Sequence, residues 1–484
     1  MKFTKFGKAL LISALSAGVI FSVTSCIQDY SVGYLYVTGT VTASTSGNGI
    51  ISGFKIDHNT GGLTTINGLP VSSGGANPVR AVLLTGSRFL YVLNRGVSSN
   101  PAGSSICTTA YPCQNANITQ FAIGANGILT PQETFYTQGL NPFRIITDAS
   151  GSYIYVLEHD SLYNGAPSNS TTNPNPNCAA ALTGATTCGD ITAFQVNGTT
   201  GRLQLIVNAQ VTAFGGGASL PYFPVPANPV DFLMAGGTII TMSGAPSLTA
   251  AAPCTTAAEL ATTYPYGCGA TVYPYGQNAT NGQLTVTQNS AQGLNIKQGT
   301  AIVSGGGYIY VLDNEAPSPN PTNAASQILP YTVGSNGALL AATSGPIPDD
   351  PNQSDPIFLV QENKGKWFYV ANQGNYVANQ GNNVTGTGTA QSGIAGYVVN
   401  SPFQPTEMAG TPIGFGTGAG PQCLVEDPSN QYFYTANFND SSVTGQSVDE
   451  NAGTLRPLSQ STKAPSEYTL TGPPTWCLVD GRTN

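Results

Sequence analysis

Three short segments of this chain carry residues able to do chemistry on an anion or an ester. Glu158-His159-Asp160 sets a histidine between two acids, where it could act as a general base. The same triplet is also what a solvated loop looks like. Asn77-Pro78-Val79-Arg80 and Asn141-Pro142-Phe143-Arg144 place two arginines at matching positions, in a chain with only 15 Lys plus Arg. Two guanidinium groups at one concave site would clamp a phosphate or a carboxylate. The bland alternative is that they pair with an acid such as Asp231 or hold backbone carbonyls. His58, in Asp57-His58-Asn59-Thr60, sits in a turn and reads as structural.

The cysteines suggest an oxidising compartment. Beyond Cys26 there are eight, and six fall as close pairs: Cys107 with Cys113, Cys178 with Cys188, and Cys254 with Cys268. Disulfides fit that spacing in an exported chain. A zinc site would need more histidine or tighter CxxC spacing, so no metal is expected. No cofactor motif is present either: there is no phosphate loop, calcium loop or nucleophile elbow.

These residues sit on a repeated frame. The aromatic strand Tyr34-Leu35-Tyr36-Val37 returns at Phe89-Leu90-Tyr91-Val92, Tyr153-Ile154-Tyr155-Val156, Tyr308-Ile309-Tyr310-Val311, Trp367-Phe368-Tyr369-Val370 and Tyr432-Phe433-Tyr434-Thr435, with a weaker copy at Thr238-Ile239-Ile240-Thr241. That makes seven copies. A Pro-led aliphatic strand precedes most of them. An alternating strand, a Gly-x-Leu turn and a fourth strand follow, as at Thr200-Gly201-Arg202-Leu203. Such units bury their faces only by stacking on neighbours. The pattern predicts an all-β fold, a seven-bladed β-propeller of four-stranded antiparallel blades. The chain opens on an aromatic strand without a Pro-led one, and ends on Pro474-Thr475-Trp476-Cys477 without an aromatic one. The C-terminal strand should therefore complete the N-terminal blade. Residues 376–382 repeat the YVANQGN of 369–375 and read as a loop expansion.

Register places the chemistry. Counting eleven residues back from the second tyrosine gives Arg80, Arg144, Gly299, Phe358 and Cys423 at the channel mouth. Blade 4 offers Asp231 and the closing strand Cys477. Cys423 and Cys477 would bolt the last blade to the closing one as a disulfide; a nucleophilic cysteine would need a nearby base, and none is evident. The long insertions, starting at Arg95, His159, Ser243 and Gln373, should ring the same mouth, and loops of this kind often carry function. Tyr264 and Tyr266, in one of them, could stack on a sugar ring.

The N-terminus reads as a targeting signal. Lys2, Lys5 and Lys8 precede an apolar run that closes on Val23-Thr24-Ser25-Cys26, a lipobox whose cysteine takes the lipid. An ordinary secretory signal cleaved nearby is the alternative. The expected organisation is a lipoprotein signal over 1–25, a lipidated linker over 26–32 and one propeller over 33–484. Ile27 in place of an aspartate favours the outer membrane. Only 8% of residues are charged, against roughly a quarter in ordinary proteins, and the net charge is −8. That balance argues against a nucleic-acid partner. The 23 tyrosines and 18 phenylalanines argue against disorder.

The repeat, its Tyr369-Val370-Ala371-Asn372 segment and its Gly-x-Leu turns resemble the seven-bladed lactonase-like propellers, the YVTN-repeat family that includes 6-phosphogluconolactonases. The likeness spans essentially the whole mature chain. It implies an arginine at the mouth, matched by Arg80 and Arg144, and a carboxylate after the aromatic strand, matched by Glu158, Asp313 or Glu315. The histidine that often follows the family's arginine is missing: Ala81 and Ile145 stand there. The sequence thus supports a lipid-anchored, monomeric propeller binding a small anion, a glycan or a protein at its loop face. A lactonase-like hydrolase of an anionic lactone, using His159 and Glu158, is the alternative; a structural envelope protein is a third.

Overall fold

Alternation inside each aromatic segment decides how the strands are used. In the computed structural model, Leu35 and Val37 pack with Tyr434 and Cys423 of the seventh blade. Tyr34 and Tyr36, which alternate with them, pack with Leu90 and Val92 of the second. Successive side chains of a strand point to opposite faces, so one segment serves two interfaces. Every core cluster of this type joins neighbouring blades. The structure describes residues 30–481 apart from 42–46, 85–87, 99–112, 164–165, 168–173, 183, 245–270, 287–291, 295, 297–298, 314–325, 351–352, 354–355, 374–391, 401–402, 409–419 and 459–465.

The molecule is a seven-bladed propeller of four-stranded antiparallel sheets. Blade 2 shows the plan, with strands Pro78–Leu83, Phe89–Asn94, Asn117–Ile123 and Leu129–Phe135 running from the channel outward. Blade 1 is composite, as expected. Its inner strand, Pro474–Asp480, pairs antiparallel with Ser31–Gly39, so the two ends of the chain close the ring. The other inner strands are Leu140–Thr147, Pro229–Ala235, Gly299–Gly305, Pro356–Gln361 and Pro421–Glu426.

One bond recurs between blades. The second tyrosine of the aromatic strand donates its hydroxyl to the turn-glycine carbonyl of the next blade: Tyr36 to Gly127, Tyr91 to Gly201, Tyr155 to Gly282, Tyr369 to Gly453 and Tyr434 to Gly61. These glycines have φ between 67° and 75°, a region that costs other residues energy. An aromatic ring also presses where a Cβ would stand, as Phe89 does on Gly201. The Gly-x-Leu turn is therefore required twice over, by backbone and by contact. Blade 6 lacks that turn; there Phe403 stacks on Tyr308 with ring centroids 3.8 Å apart.

Two disulfides are described. Cys178–Cys188 staples the blade-3 insertion, and Cys423–Cys477 joins the last blade to the closing strand with Cα atoms 5.9 Å apart. The second corrects the expected register. Cys423 pairs across its blade with Ala436, whereas the matching pair in blade 1 is Trp476 with Thr38. Cys477 lies one residue further on and so faces back toward Cys423. Two side chains at one register would point the same way around the ring. Cys26, Cys107, Cys254, Cys268, Glu315, Tyr264, Tyr266, the side chain of Cys113 and the second YVANQGN copy lie outside the described residues.

Candidate functional site at the channel mouth

Each inner strand begins with a bulge, and the residue after it leans toward the next blade. The register shift falls between Pro78 and Arg80, Pro142 and Arg144, Pro229 and Asp231, Pro356 and Phe358, and Pro421 and Cys423. In blade 5 it falls between Gly299 and Ala301. The equivalent of Arg80 in that blade is therefore Ala301, not Gly299. The cause is a tighter hairpin, closed by Gly305 against Tyr308, which the fixed count of eleven residues did not allow for.

Leaning brings the charged residues together. Arg144 Nε lies 3.0 Å from Asp231 Oδ1, and Arg80 Nη1 lies 3.7 Å from the same oxygen. Asp231 Oδ2 accepts the Ile302 N–H at 3.2 Å. Asp231 is thus the buried centre of a four-blade junction. The Arg80 guanidinium also lies over Trp476, 4.0 Å from the ring centroid. Trp476 meets Phe358 edge to face across the channel at 5.0 Å.

Above Trp476 the channel widens into a cavity of about 400 Å³, lined by Arg80, Arg95, Arg144, His159 and the apolar Val79, Phe143 and Ile357 among others. Burial and the neighbouring Arg144 pull the Arg80 guanidinium down to about 9, against the raising effect of Asp231. It remains charged at neutral pH, yet its charge is incompletely compensated. Arg95 is also lowered, by burial first and by Arg144, with Asp160 opposing. Its Nε is buried and has no hydrogen-bond partner among the described residues. An anion in the cavity would supply what both groups lack.

The acid–histidine triplet divides. His159 lines the cavity with 34% of its side chain exposed, and its Nδ1 lies 2.8 Å from Oδ1 of the fully buried Asp160. Asn141 Nδ2 donates to the other oxygen of Asp160. That leaves Nε2 as the ring nitrogen with no partner among the described residues. Glu158 points the other way, into the wall of blade 3, where it accepts the Gly139 N–H at 2.9 Å and the Thr192 hydroxyl at 2.5 Å. Its cross-strand partner is Asp190, whose carboxyl is pushed well up by burial and by Glu158. Glu158 is therefore not at the mouth. Asp313 is also buried, on the far side of the ring, and accepts from Gln327 Nε2 at 2.9 Å.

Arg95 carries no pattern that marks it in the sequence. It follows Asn94, the last residue of a repeat strand, where the blade-2 insertion starts. The one available signal was its position at the root of a loop expected to ring the mouth.

The sequence matches no protein-family model and no curated protein. Solved structures share the fold. A periplasmic gluconolactonase from Pseudomonas aeruginosa is 13% identical with a TM-score of 0.56, covering 92% of this chain and 98% of its own. A candidate 6-phosphogluconolactonase from Bacteroides fragilis is 15% identical with a TM-score of 0.57, covering 94% and 99%. A hypothetical selenium-binding protein from Sulfolobus tokodaii is 10% identical at 0.53, covering 93% and 94%. The fold is thus the seven-bladed propeller seen in gluconolactonase-like proteins. It does not select the activity, because one fold hosts many.

Proposed function

We propose that the channel mouth binds a small organic anion and hydrolyses a lactone ring within it. The carrying observation is that His159, tied to buried Asp160, opens onto the same cavity as Arg80, Arg95 and Arg144. In the step this supports, His159 Nε2 takes a proton from water as the oxygen attacks the lactone carbonyl. The carbonyl oxygen becomes an oxyanion beside the arginines. The ring C–O bond then breaks, and the leaving alkoxide takes the proton back from the imidazolium. The product is a hydroxy acid whose carboxylate matches the arginine-lined wall.

Binding without turnover is the second reading. It is favoured by the shortage of further acid–base groups at the mouth among the described residues, since Glu158 and Asp313 face elsewhere. The signal and lipobox support an exported protein held through Cys26 at the outer membrane. Ser31 pairs with Asp57, near the Gly61 turn and at the end opposite the mouth. A lipid four residues before Tyr30 would hold the turn face to the membrane and leave the mouth open.

The test is hydrolysis of a panel of sugar lactones, plain and phosphorylated, by lipid-free oxidised protein, with aldonate binding measured alongside. His159→Ala should lower turnover by roughly 10²–10⁴ and keep aldonate binding; an Arg95→Ala, Arg144→Ala double variant should lose both. Undiminished turnover in His159→Ala would remove the dyad from the mechanism. Binding by the wild type with no turnover on any lactone would select the second reading.

A further inference from the structure

Blade 4 departs from the rule that builds the other interfaces, and a second cavity lies where it departs. The aromatic strand opens on a ring in six blades: Tyr34, Phe89, Tyr153, Tyr308, Trp367 and Tyr432. Five of these rings press on the turn glycine of the next blade. A Cβ on Gly127 would meet Tyr34 at 2.6 Å, on Gly201 Phe89 at 2.7 Å, on Gly282 Tyr153 at 2.4 Å, on Gly453 Trp367 at 2.6 Å and on Gly61 Tyr432 at 2.5 Å. The tyrosine two residues on then donates to that glycine's carbonyl. Blade 4 has Thr238 where the ring belongs and Ile240 where the hydroxyl belongs. A Cβ on Gly337 of blade 5, the matching turn glycine, would meet Thr238 Cγ2 at 2.6 Å and Pro274 Cβ at 2.7 Å, so aliphatic atoms stand nearest where the other blades place a ring. Among the described residues no hydroxyl donates to its carbonyl.

Beside Gly337 lies a depression of about 540 Å³ on the turn face, between blades 4 and 5. Its walls are Met234, Ile309, Val333 and Tyr308, and its rim is the bare backbone of Gly306 and Gly307, at φ +55° and +85°. Among the described residues no acidic, basic or histidine side chain lines it. A charged ligand would lose its hydration there without a counter-charge. A planar ring would find apolar contact there with Met234, Tyr308 and Val333, beside the position where blade 4 carries no ring of its own.

We infer that this depression binds a small neutral phenol-type ligand, its ring beside Thr238 and its hydroxyl donating to the Gly337 carbonyl. The repeat itself supplies the template, since both groups of the ligand stand in for groups the other blades carry. The site is separate from the arginine mouth, which opens at the other end of the channel.

The experiment is titration of p-cresol into the full mature chain, followed by saturation-transfer NMR. Saturable binding is expected in the millimolar range or tighter. Thr238→Tyr, which restores the missing ring, should abolish it while lactone turnover and aldonate binding at the mouth stay as in the wild type. Val333→Trp, on the wall where the residue is 37% exposed, provides the same block if Thr238→Tyr does not fold. 4-Methylanisole, with the hydroxyl capped, should bind more weakly; equal binding would overturn the bond to Gly337. Absence of saturable p-cresol binding, or binding that survives both substitutions, would overturn the site. Loss of p-cresol binding in Arg80→Ala would move it to the mouth and likewise overturn the inference.

Discussion

The two ends of this propeller follow opposite rules. At the turn face one device repeats: a tyrosine hydroxyl on a glycine carbonyl, with a ring against the glycine's α-carbon. At the mouth the equivalent positions hold Arg80, Arg144, Asp231, Ala301, Phe358, Cys423 and Trp476. The repeated residues answer a need every interface shares, which is to bury apolar faces and satisfy a turn carbonyl. The mouth positions all lean toward the next blade, so each can be spent differently: on a disulfide, a ring stack or an ion pair. Departure from the repeat is thus the sign of local chemistry at either end, at the mouth as charge and at blade 4 as a missing ring.

The largest effect that sharpens this comparison should come from Asp231→Ala. Asp231 is 3% exposed and holds Arg144, Arg80 and the Ile302 N–H together. Removing it leaves two mutually repelling guanidinium groups partly buried, at a cost of about 3 kcal/mol or more. Urea unfolding would show a lowered midpoint, while anion affinity at the mouth should rise because the competing carboxylate is gone. If stability were unchanged, the mouth would be tolerant surface rather than a junction.

A smaller effect separates buried acids that serve the frame from those at the mouth. Burial pushes the Asp349 carboxyl up to about 7, although the Tyr397 hydroxyl donates to it at 2.7 Å and opposes the shift. Folding raises this pKa, so stability is complete below about pH 4, the unfolded carboxyl range, and is lost as pH rises through about 7. Asp349→Asn should flatten that decline, with the variant closing on or passing the wild type at about pH 8 when compared with about pH 5. Parallel unfolding curves for the two proteins at both values would mean that Asp349 does not titrate in this window. Lactone turnover should be unaffected, since Asp349 does not line the mouth.

How much of this was legible in the sequence follows the same division. The blades, their number and the closure by Pro474–Asp480 were readable because each interface solves one packing problem with the same residue types. The meeting of Arg80, Arg144 and Asp231 was readable because the proline fixes where each inner strand starts. Gly299 was misplaced because hairpin length varies and a count from the far strand carries that variation with it. Glu158 and His159 could not be told apart as a triplet, since only strand alternation decides which of two neighbours meets the cavity. Arg95 lies beyond the last patterned residue of its blade, so periodicity had nothing to say about it. The slot in blade 4 was visible only as a weak repeat; its meaning needed the contacts of the other six blades.

The smallest effect probes the repeated device itself. Tyr91 donates to the Gly201 carbonyl at 2.5 Å, and Tyr91→Phe removes the donor while keeping the ring. The buried carbonyl is left unmet, which should cost about 1 kcal/mol. Tyr310 is the exception in the series, with its hydroxyl 3.4 Å from Gln361 Oε1 rather than on a turn carbonyl. That separation is long for an O–H donor, so Tyr310→Phe should cost only about a few tenths of a kcal/mol. Urea midpoints of the two variants, measured side by side with Tyr155→Phe, would rank them. Equal losses at Tyr91, Tyr155 and Tyr310 would mean that ring packing, not the hydroxyl bond, is what the repeat preserves. The phenol hydroxyl assigned to Gly337 would then lose its template, while the ring beside Thr238 would keep its own.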